Sequence, residues 1–244
     1  SQVPLTPLLV QDAARAVAVI APDVPRVHLA SVQRVEREWT KRDWVGDDRT
    51  EVALDIESGE GGPILVGLSW MLGESWVLRW SNEARDLLIA ILAEAMPVLH
   101  NAAYDFTELG EVGVELPPLW IDTMNVAAVS NAELPMALES LTLTHVPGWT
   151  AWKRLIDFKR PPEDQGPRVA EARRFWAGLL QRLGRRAPEG PDEWFGFYNG
   201  VDAAQTLRLL HPLRADLGHR WTYYETMMQP LQRELLLQGR RIQA

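Results

Sequence analysis

The stretch that decides the fold is an apolar run ending in two acids and a glycine, Val52-Ala53-Leu54-Asp55-Ile56-Glu57-Ser58-Gly59. In a β-strand, side chains at positions i and i+2 lie on the same face, so Asp55 and Glu57 converge on one region of space. Two charges 4 Å apart repel each other by about 1 kcal/mol in water and roughly 4 kcal/mol at an effective dielectric constant of 20. A divalent metal ion is the commonest group that offsets such repulsion. The alternative is a strand that runs out into a solvated acidic turn.

The composition is that of an ordinary globular protein with an acidic charge balance. The chain has 244 residues, of which 46% are hydrophobic and 24% charged, and a net charge of −8. This charge argues against a surface built for broad phosphate binding, although metal-binding carboxylates add to the same count. Cysteine is absent, so a metal ion would have to bind oxygen or imidazole, and the composition fits a reducing cytoplasm. The sequence contains neither a membrane-spanning apolar run nor an opening signal peptide, which predicts no membrane association.

The first 48 residues are predicted to form a mostly helical N-terminal extension that packs on the main domain. Helices are predicted near residues 11–20 and 30–42, and a polar run follows at 46–49. The chain starts at Ser1 rather than Met and stops just after an amphipathic helix. Both features favour a fragment of a longer protein.

The remainder reads as short strands followed by alternating strands and helices. Strands are predicted at residues 51–57, 64–70, 75–80, 98–100 and 119–121, the second and third as a hairpin. Helices are predicted at 82–95, about 102–113, 123–130, 135–145, 169–183, 194–217 and 222–239, with Ser81 and Asp122 as N-caps. This order predicts an α/β fold with a mixed sheet of about five strands flanked by helices.

Two further strands also lead into acids. Asp105 lies in the first turn of the helix that follows the strand at 98–100, facing the edge where Asp55 and Glu57 emerge. A capping acid that suits the helix dipole is the alternative explanation for Asp105. Asp122 ends the strand at 119–121 and is either the N-cap of the next helix or a supporting residue beside the site.

A fourth stretch places an acid and a tyrosine on one face of a helix. Tyr198 and Asp202 are four residues apart, so their side chains lie about one turn from each other. The same helix is expected to bury Val201, Leu207 and Leu210, which gives no packing reason for an acid beside a tyrosine on its inner side. A surface aspartate is the alternative.

Together these stretches resemble a known family. D-x-E at 55–57, H-N-x-x-x-D at 100–105 and Y-x-x-x-D-A-x-x-T at 198–206 resemble, in this order, the three motifs of DEDDy 3′→5′ exonucleases. Asp122-Thr123-Met124 and Leu138-Glu139-Ser140-Leu141 are similar to the proofreading domain of family A (Pol I-like) DNA polymerases. The resemblance covers about residues 50–218 and implies an exonuclease domain at 49–218 with an RNase H-like (DnaQ-like) sheet. The tail at 219–244 looks like the helix that opens the polymerase module, which would then be truncated here.

The resemblance implies a two-metal phosphodiesterase. Asp55, Glu57 and Asp202 would hold one divalent ion, and Asp55 would bridge to a second ion held by Asp105 directly or through water. Oxygen ligands favour Mg²⁺, with Mn²⁺ able to substitute. Tyr198 would orient the attacking water by a hydrogen bond.

The implied substrate is a single-stranded or frayed DNA 3′ end, from which nucleoside 5′-monophosphates are released. Ser58, Asn101 and His100 are the candidate substrate-binding residues, Asn101 as a hydrogen-bonding positioner and His100 as either a partner of the acids or a buried structural histidine. Further candidates are Arg154, Lys159, Arg160, Arg173 and Arg174 for phosphates, and Trp149 and Trp152 for base stacking.

The family also sets the alternatives. A ribonuclease D-like enzyme that trims RNA 3′ ends differs in its tolerance of the 2′-hydroxyl, and the polymerase-like tail favours DNA. A non-catalytic nucleic-acid-binding domain of the same fold is the third possibility. The proofreading hypothesis predicts a monomer in the cytoplasm of a bacterium or a phage-infected host. Two parts depart from the family: the short glycine turn after Glu57, where no wedge residue against the terminal base can be placed, and the segment 159–194.

Overall fold

A mixed six-stranded sheet with helices on both faces is the centre of the molecule. The computed structural model describes residues 24–41, 50–115, 117–146, 151–160 and 165–243. The helix predicted at 11–20 and the polar run at 46–49 lie outside these ranges. In the order β1-β4-β3-β2-β5-β6, the strands are β1 (Arg26–Leu29), β4 (Glu74–Arg79), β3 (Gly62–Met71), β2 (Glu51–Gly59), β5 (Met96–Leu99) and β6 (Ile121–Asp122).

Strand directions divide the sheet into an antiparallel and a parallel part. β2, β3 and β4 pair antiparallel, which confirms the predicted hairpin, and Gly73 takes the positive φ of 83° that the β3–β4 turn requires. β5 pairs parallel to β2, and β6 parallel to β5. The carboxyl ends of β2, β5 and β6 therefore meet at one edge of the sheet, the edge that carries the predicted acids.

The sequence did not predict β1. It belongs to the N-terminal extension and pairs parallel to β4 at the edge of the sheet. Four residues are too few for a period-2 pattern to stand out. The helix after β1 was predicted at 30–42 and forms at Val32–Thr40, where the Ser31 hydroxyl accepts a hydrogen bond from the Arg34 amide at 3.4 Å.

The helices follow the predicted order. They are α1 (Val32–Thr40), α2 (Asn82–Glu94), α3 (Ala102–Glu111), α4 (Thr123–Ser130), α5 (Leu138–His145), α6 (Gly166–Arg182), α7 (Pro191–Leu217) and α8 (Gln229–Gln243). A 3₁₀ turn lies at Lys153–Leu155, and a 3₁₀ turn, an α-turn and a π-helical segment (Tyr224–Met228) join α7 to α8. Ser81 and Asp122 cap α2 and α4 as predicted. Across the described ranges, no helix is both long enough and apolar enough to cross a bilayer.

The alternation of β2 places its acids on the face of the sheet covered by α7. Leu54 and Ile56 pack into the core formed with α1, α2 and α3, whereas Ala53 packs into the core formed with α7. Asp55 and Glu57 follow Ala53 at steps of two, so they lie on the α7 side.

Two glycines let α7 lie close to the sheet. A Cβ atom at Gly67 of β3 would stand 2.6 Å from Asn199 Oδ1 and 3.0 Å from the Asn199 carbonyl oxygen. A Cβ atom at Gly200 of α7 would stand 2.4 Å from Val27 Cγ1. The close approach brings the middle of α7, with Tyr198 and Asp202, over the end of β2.

Candidate active site

Three carboxylates converge at the end of β2. One oxygen each from Asp55, Glu57 and Asp202 lies within 4.8 Å of the others. Asp55 and Glu57 are half-buried, whereas Asp202, on α7, is 2% exposed. The structure thus places the i, i+2 pair of β2 beside the acid of the third motif.

Asp105 lies next to this group and is tied to β2. It belongs to the first turn of α3, is 4% exposed, and its Oδ1 accepts a hydrogen bond from the Ile56 amide at 3.0 Å. Since Ile56 lies between Asp55 and Glu57, this bond fixes Asp105 beside the acid pair. Asp105 thus lies where the sequence predicted it, beside the end of β2 that carries Asp55 and Glu57.

Burial and mutual repulsion hold the cluster in an electrostatically unfavourable state. Burial, and then the charge of Asp202, raise the pKa of Asp55 to about 7. Burial, and then the charge of Asp55, raise the pKa of Glu57 to about 10. Burial and Asp55 likewise raise the pKa of Asp105 well above its ordinary value. Perturbed carboxyls gathered at one point are typical of a functional site that gains from a cation.

These pKa shifts predict how the metal-free protein responds to pH. The unfolded carboxyls ionise near their ordinary pKa values of 3.8 and 4.5, while Asp55 and Glu57 in the folded protein keep their protons to about 7 and about 10. The unfolded state therefore loses protons first, and the free energy of unfolding falls as the pH rises through this window. Below the unfolded pKa values, neither group contributes. We expect the melting temperature in EDTA to fall between pH 5 and 9, by roughly 2–4 °C for each kcal/mol lost.

Thermal melts in EDTA across that range measure the effect. Asp55→Asn should make the melting temperature less dependent on pH. Asp86→Asn, at a carboxyl that is 65% exposed, should show the same pH dependence as the unmodified chain. A melting temperature that rises steadily from pH 5 to 9 in EDTA would contradict these assignments.

Lys153 brings a positive charge into the site and was not among the residues predicted from the sequence. Its Nζ donates to Asp202 Oδ2 at 2.5 Å and to Tyr198 Oη at 2.8 Å, and lies 4.6 Å from the centre of the Tyr198 ring. Burial would lower the pKa of Lys153, but the Asp202 and Asp55 carboxylates raise it above its ordinary value. Lys153 therefore carries a positive charge against the acids.

The chain segment carrying Lys153 is held by Glu139 of α5. Glu139 Oε1 accepts hydrogen bonds from the Trp152 and Lys153 amides, both at 2.8 Å. Trp152 is fully buried and its indole Nε1 donates to Asp202 Oδ1 at 2.5 Å. The prediction of Trp152 as a base-stacking residue is therefore wrong, because its ring lies in the core and positions Asp202.

Tyr198 and Asn199 complete the cluster from α7. Tyr198 is 4% exposed, and burial together with the neighbouring Asp202 raises the pKa of its hydroxyl. The hydroxyl is thus kept protonated and suited to donate a hydrogen bond. Asn199 Nδ2 donates to Asp55 Oδ2 at 2.6 Å and to the Asp55 carbonyl oxygen at 3.1 Å. These two hydrogen bonds orient the Asp55 carboxylate. Asn199 was not predicted from the sequence.

The predicted substrate-binding residues lie on the same edge in different settings. Ser58 follows Glu57 at a β-bulge and is half-buried. Asn101 is exposed and takes a left-handed backbone conformation with φ of 70° just before α3. His100 Nδ1 lies 2.9 Å from Thr123 Oγ1 and its Nε2 lies 2.8 Å from the Met136 carbonyl oxygen. Both ring nitrogens face structural partners, which favours the structural alternative for His100.

Asp122 is a structural junction. Its carboxylate accepts hydrogen bonds from the Asn101 amide at 3.1 Å, the Ala102 amide at 3.0 Å and the Met124 amide at 3.0 Å. Gln232 Nε2 of α8 donates to Asp122 Oδ2 at 2.7 Å, and the Asp122 amide donates to Tyr224 Oη at 2.8 Å. Asp122 thus caps α4, joins α3 and ties the C-terminal helical region to the sheet.

The predicted phosphate contacts fall into two groups. Arg154, Lys159 and Arg174 are exposed. Arg173 instead donates to the Leu155 carbonyl oxygen at 3.0 Å and lies over the Trp194 ring, and Arg160 lies 3.6 Å from Asp157. Trp149 lies outside the described residues.

Comparison with known proteins shows similarity of structure without similarity of sequence. No protein-family model and no curated protein matches the chain. The polymerase domain of Pol1 from M. smegmatis, solved with a DNA primer–template and dNTP, has a TM-score of 0.55 at 14% identity, over 86% of this chain and 31% of that chain. Escherichia coli RNase D, an exoribonuclease involved in structured RNA processing, has a TM-score of 0.56 at 14% identity, over 88% of this chain and 50% of that chain.

A protein from Bifidobacterium adolescentis is similar at a TM-score of 0.50 and 15% identity, over 82% of this chain and 46% of that chain. The chain thus spans half or less of the length of each of these structures. The two named structures match almost equally well, so similarity of fold does not distinguish DNA from RNA as a substrate. The mixed sheet flanked by helices is the RNase H-like exonuclease fold, as the sequence predicted.

Proposed function

We propose that the chain is a metal-dependent 3′→5′ exonuclease that removes nucleoside 5′-monophosphates from DNA 3′ ends, as the proofreading domain of a family A DNA polymerase. The observation that carries the proposal is the convergence of Asp55, Glu57 and Asp202 within 4.8 Å, with Tyr198 on the same helix as Asp202. With Asp105, these residues resemble the DEDDy motifs in identity and in order. The fold supports an exonuclease and is neutral between DNA and RNA.

The donor set fits a divalent cation that prefers oxygen. Asp55, Glu57 and Asp202 would hold a Mg²⁺ or Mn²⁺ ion, and Asp105, beside Asp55, is the candidate to help hold a second. The raised pKa values of Asp55 and Glu57 support this assignment, because a bound cation favours their ionised forms. When bound, such ions lower the pKa of a water molecule and stabilise the charge on a reacting phosphodiester.

The chain's own residues would position the reactants. Tyr198, protonated and next to Asp202, would orient the attacking water by donating a hydrogen bond. Lys153 holds the Tyr198 hydroxyl and the Asp202 carboxylate in place, while Asn199 holds Asp55. The fixed orientation of these groups lowers the entropy that the reaction must lose.

The alternative is an RNA-trimming enzyme of the ribonuclease D type. The TM-score of 0.56 with RNase D supports it as well as the score of 0.55 with Pol1 supports the DNA enzyme. The polymerase-like sequence of the tail favours DNA. A third possibility, a binding domain without activity, is disfavoured by the presence of all four acids and Tyr198.

One assay separates the three. Single-stranded DNA and RNA of equal sequence, labelled at the 5′ end, are incubated with the protein in Mg²⁺ or in EDTA. We expect a Mg²⁺-dependent ladder that shortens DNA from the 3′ end. Faster shortening of RNA supports the ribonuclease D type, and binding without cleavage of either strand supports the non-catalytic domain.

Replacing Tyr198 with phenylalanine should slow the reaction about 10- to 100-fold, because a hydrogen bond to a charged group contributes about 1.5–3 kcal/mol and each 1.36 kcal/mol is a factor of ten in rate. Mn²⁺ binding measured by titration calorimetry should be retained, since the three carboxylates stay in place. Tyr223→Phe, at a tyrosine that is 50% exposed, serves as the matched control. An unchanged rate for Tyr198→Phe would remove Tyr198 from the mechanism.

A further inference from the structure

A cleft of about 950 Å³ opens beside the candidate active site. It lies between the segment around the 3₁₀ turn Lys153–Leu155 and helix α6. Helix α6 belongs to the segment 159–194, which does not align with the family. Six of the residues that line it are Lys153, Arg154, Phe158, Lys159, Arg168 and Phe175. A volume of this size is at the upper end of those that hold small ligands.

The cleft adjoins the acid cluster through Lys153. Lys153 lines the cleft and also contacts Asp202 and Tyr198. The Phe158 ring lies edge-on to the Tyr198 ring with 5.6 Å between their centres. Phe158 therefore lies where the cleft adjoins the acid cluster.

Two phenylalanines present their rings to solvent at the cleft. Phe158 is 60% exposed and Phe175 is 52% exposed. Helix α6 packs into the core through Val169, Trp176 and Leu179, so packing does not account for Phe175. Exposed aromatic rings beside a nuclease-like site are suited to stacking against bases, which is tolerant of sequence.

Basic side chains accompany these rings. Arg154, Lys159 and Arg168 are exposed at the cleft, in a chain whose net charge is −8. Two acids, Asp157 and Glu171, also line it. Asp157 is engaged locally, because its Oδ1 accepts from the Lys159 amide at 3.0 Å and its Oδ2 lies 3.6 Å from Arg160 Nε. The local excess of positive charge is complementary to a phosphate backbone.

We infer that this cleft binds the single-stranded nucleic acid immediately 5′ of the bond to be cleaved. Bases stack on Phe158 and Phe175, and phosphates contact Arg154, Lys159 and Arg168. The placement relative to the cleaved bond rests on the proposed exonuclease function. The binding of a single strand does not depend on cleavage.

The test is a binding measurement in EDTA, where metal-dependent cleavage is absent. Fluorescence anisotropy is recorded for a 5′-labelled eight-nucleotide oligo-dT, its oligo-U counterpart and a blunt duplex. Phe158→Ala and Phe175→Ala should each weaken single-strand binding about 10-fold, the scale of one stacked base. Arg168→Ala should reduce the dependence of log K on log salt by about 0.7, the value for one phosphate contact on a single strand.

Two controls match these variants. Arg182→Ala removes an exposed arginine of the same helix that does not line the cleft, and Tyr223→Ala removes an exposed aromatic ring elsewhere. Both should bind as the unmodified chain does. Because Phe158 contacts Tyr198 and Phe195, melting temperatures are compared, and Phe175→Ala, on the solvent side of α6, carries the test if Phe158→Ala unfolds.

The outcomes separate this inference from the proposed function. Loss of single-strand binding in the Phe175 variant supports the cleft even if the unmodified chain cleaves nothing, in which case the proposed function fails alone. Unchanged binding by both phenylalanine variants, or duplex binding as tight as that of the single strand, overturns the cleft even if cleavage is found.

Discussion

Replacing Asp55 with asparagine should lower the rate of nucleotide release by about 10³-fold or more while leaving the protein folded. Asp55 neighbours each of the other acids, since one of its oxygens lies within 4.8 Å of Glu57 and Asp202 and its charge acts on Asp105. Metal ions supply several kcal/mol of charge stabilisation in such reactions, and each 1.36 kcal/mol is a factor of ten in rate. Asparagine keeps the shape and the contact with Asn199 but removes the charge.

Titration calorimetry with Mn²⁺ measures the metal affinity, and an assay on single-stranded DNA measures the rate of nucleotide release. The Asp55→Asn variant should lose Mn²⁺ affinity together with activity, and its metal-free melting temperature at pH 8 should rise, because the repulsion in the cluster is reduced. Asp86→Asn is the control at an exposed carboxyl. An Asp55→Asn protein with the full rate would remove the acids from the mechanism.

Replacing Lys153 with methionine should lower the rate about 100-fold. The change deletes two hydrogen bonds from an ammonium group, to Asp202 and to Tyr198, and a hydrogen bond to a charged group contributes about 1.5–3 kcal/mol. The loss leaves a buried carboxylate without its cation and a tyrosine hydroxyl without its donor. Lys153→Arg keeps the charge and should recover part of the rate.

The arginine variant distinguishes positioning from a merely structural role. If Lys153 only stabilised the fold, both variants would change the melting temperature and leave the rate per folded molecule unchanged. Lys41→Met, at a lysine whose side chain is 60% exposed, is the control. A methionine variant that is faster than the unmodified chain at low Mg²⁺ would show instead that Lys153 competes with the ion, contrary to this account.

The parts of the site that the sequence predicted are those fixed by local periodicity. The i, i+2 spacing of Asp55 and Glu57 on β2, and the i, i+4 spacing of Tyr198 and Asp202 on α7, each define a shared face without knowledge of the tertiary fold. The order of the motifs then indicated that the faces meet. The structure brings Asp55, Glu57 and Asp202 together in that way.

Lys153 and Asn199 depend on the tertiary path of the chain. Lys153 reaches Asp202 because Glu139 binds the amides of an irregular segment, and no periodic pattern encodes that contact. Its one signal was its rarity, since the chain has three lysines among 25 basic residues. Trp152 was misassigned for the same reason, because a tryptophan in a loop-like stretch gives no indication that it is buried.

The edge strand β1 shows a second limit of local patterns. Its pairing partner β4 is nearly 50 residues further along the chain, so the pairing of Arg26 with Glu74 depends on how the whole sheet forms. The ties between Asp122 and the C-terminal residues Tyr224 and Gln232 span more than 100 residues. These contacts join the predicted domain to the tail, and only the three-dimensional structure displays them.

The most direct test of the central claim follows a label placed in the 3′-terminal nucleotide of single-stranded DNA. With Mg²⁺, the account predicts that the first labelled product is a nucleoside 5′-monophosphate, that EDTA prevents its release, and that Asp55→Asn abolishes it. Release of labelled oligonucleotides, release of a 3′-monophosphate, or release that persists in EDTA would contradict a metal-dependent 3′→5′ exonuclease site built on Asp55, Glu57 and Asp202.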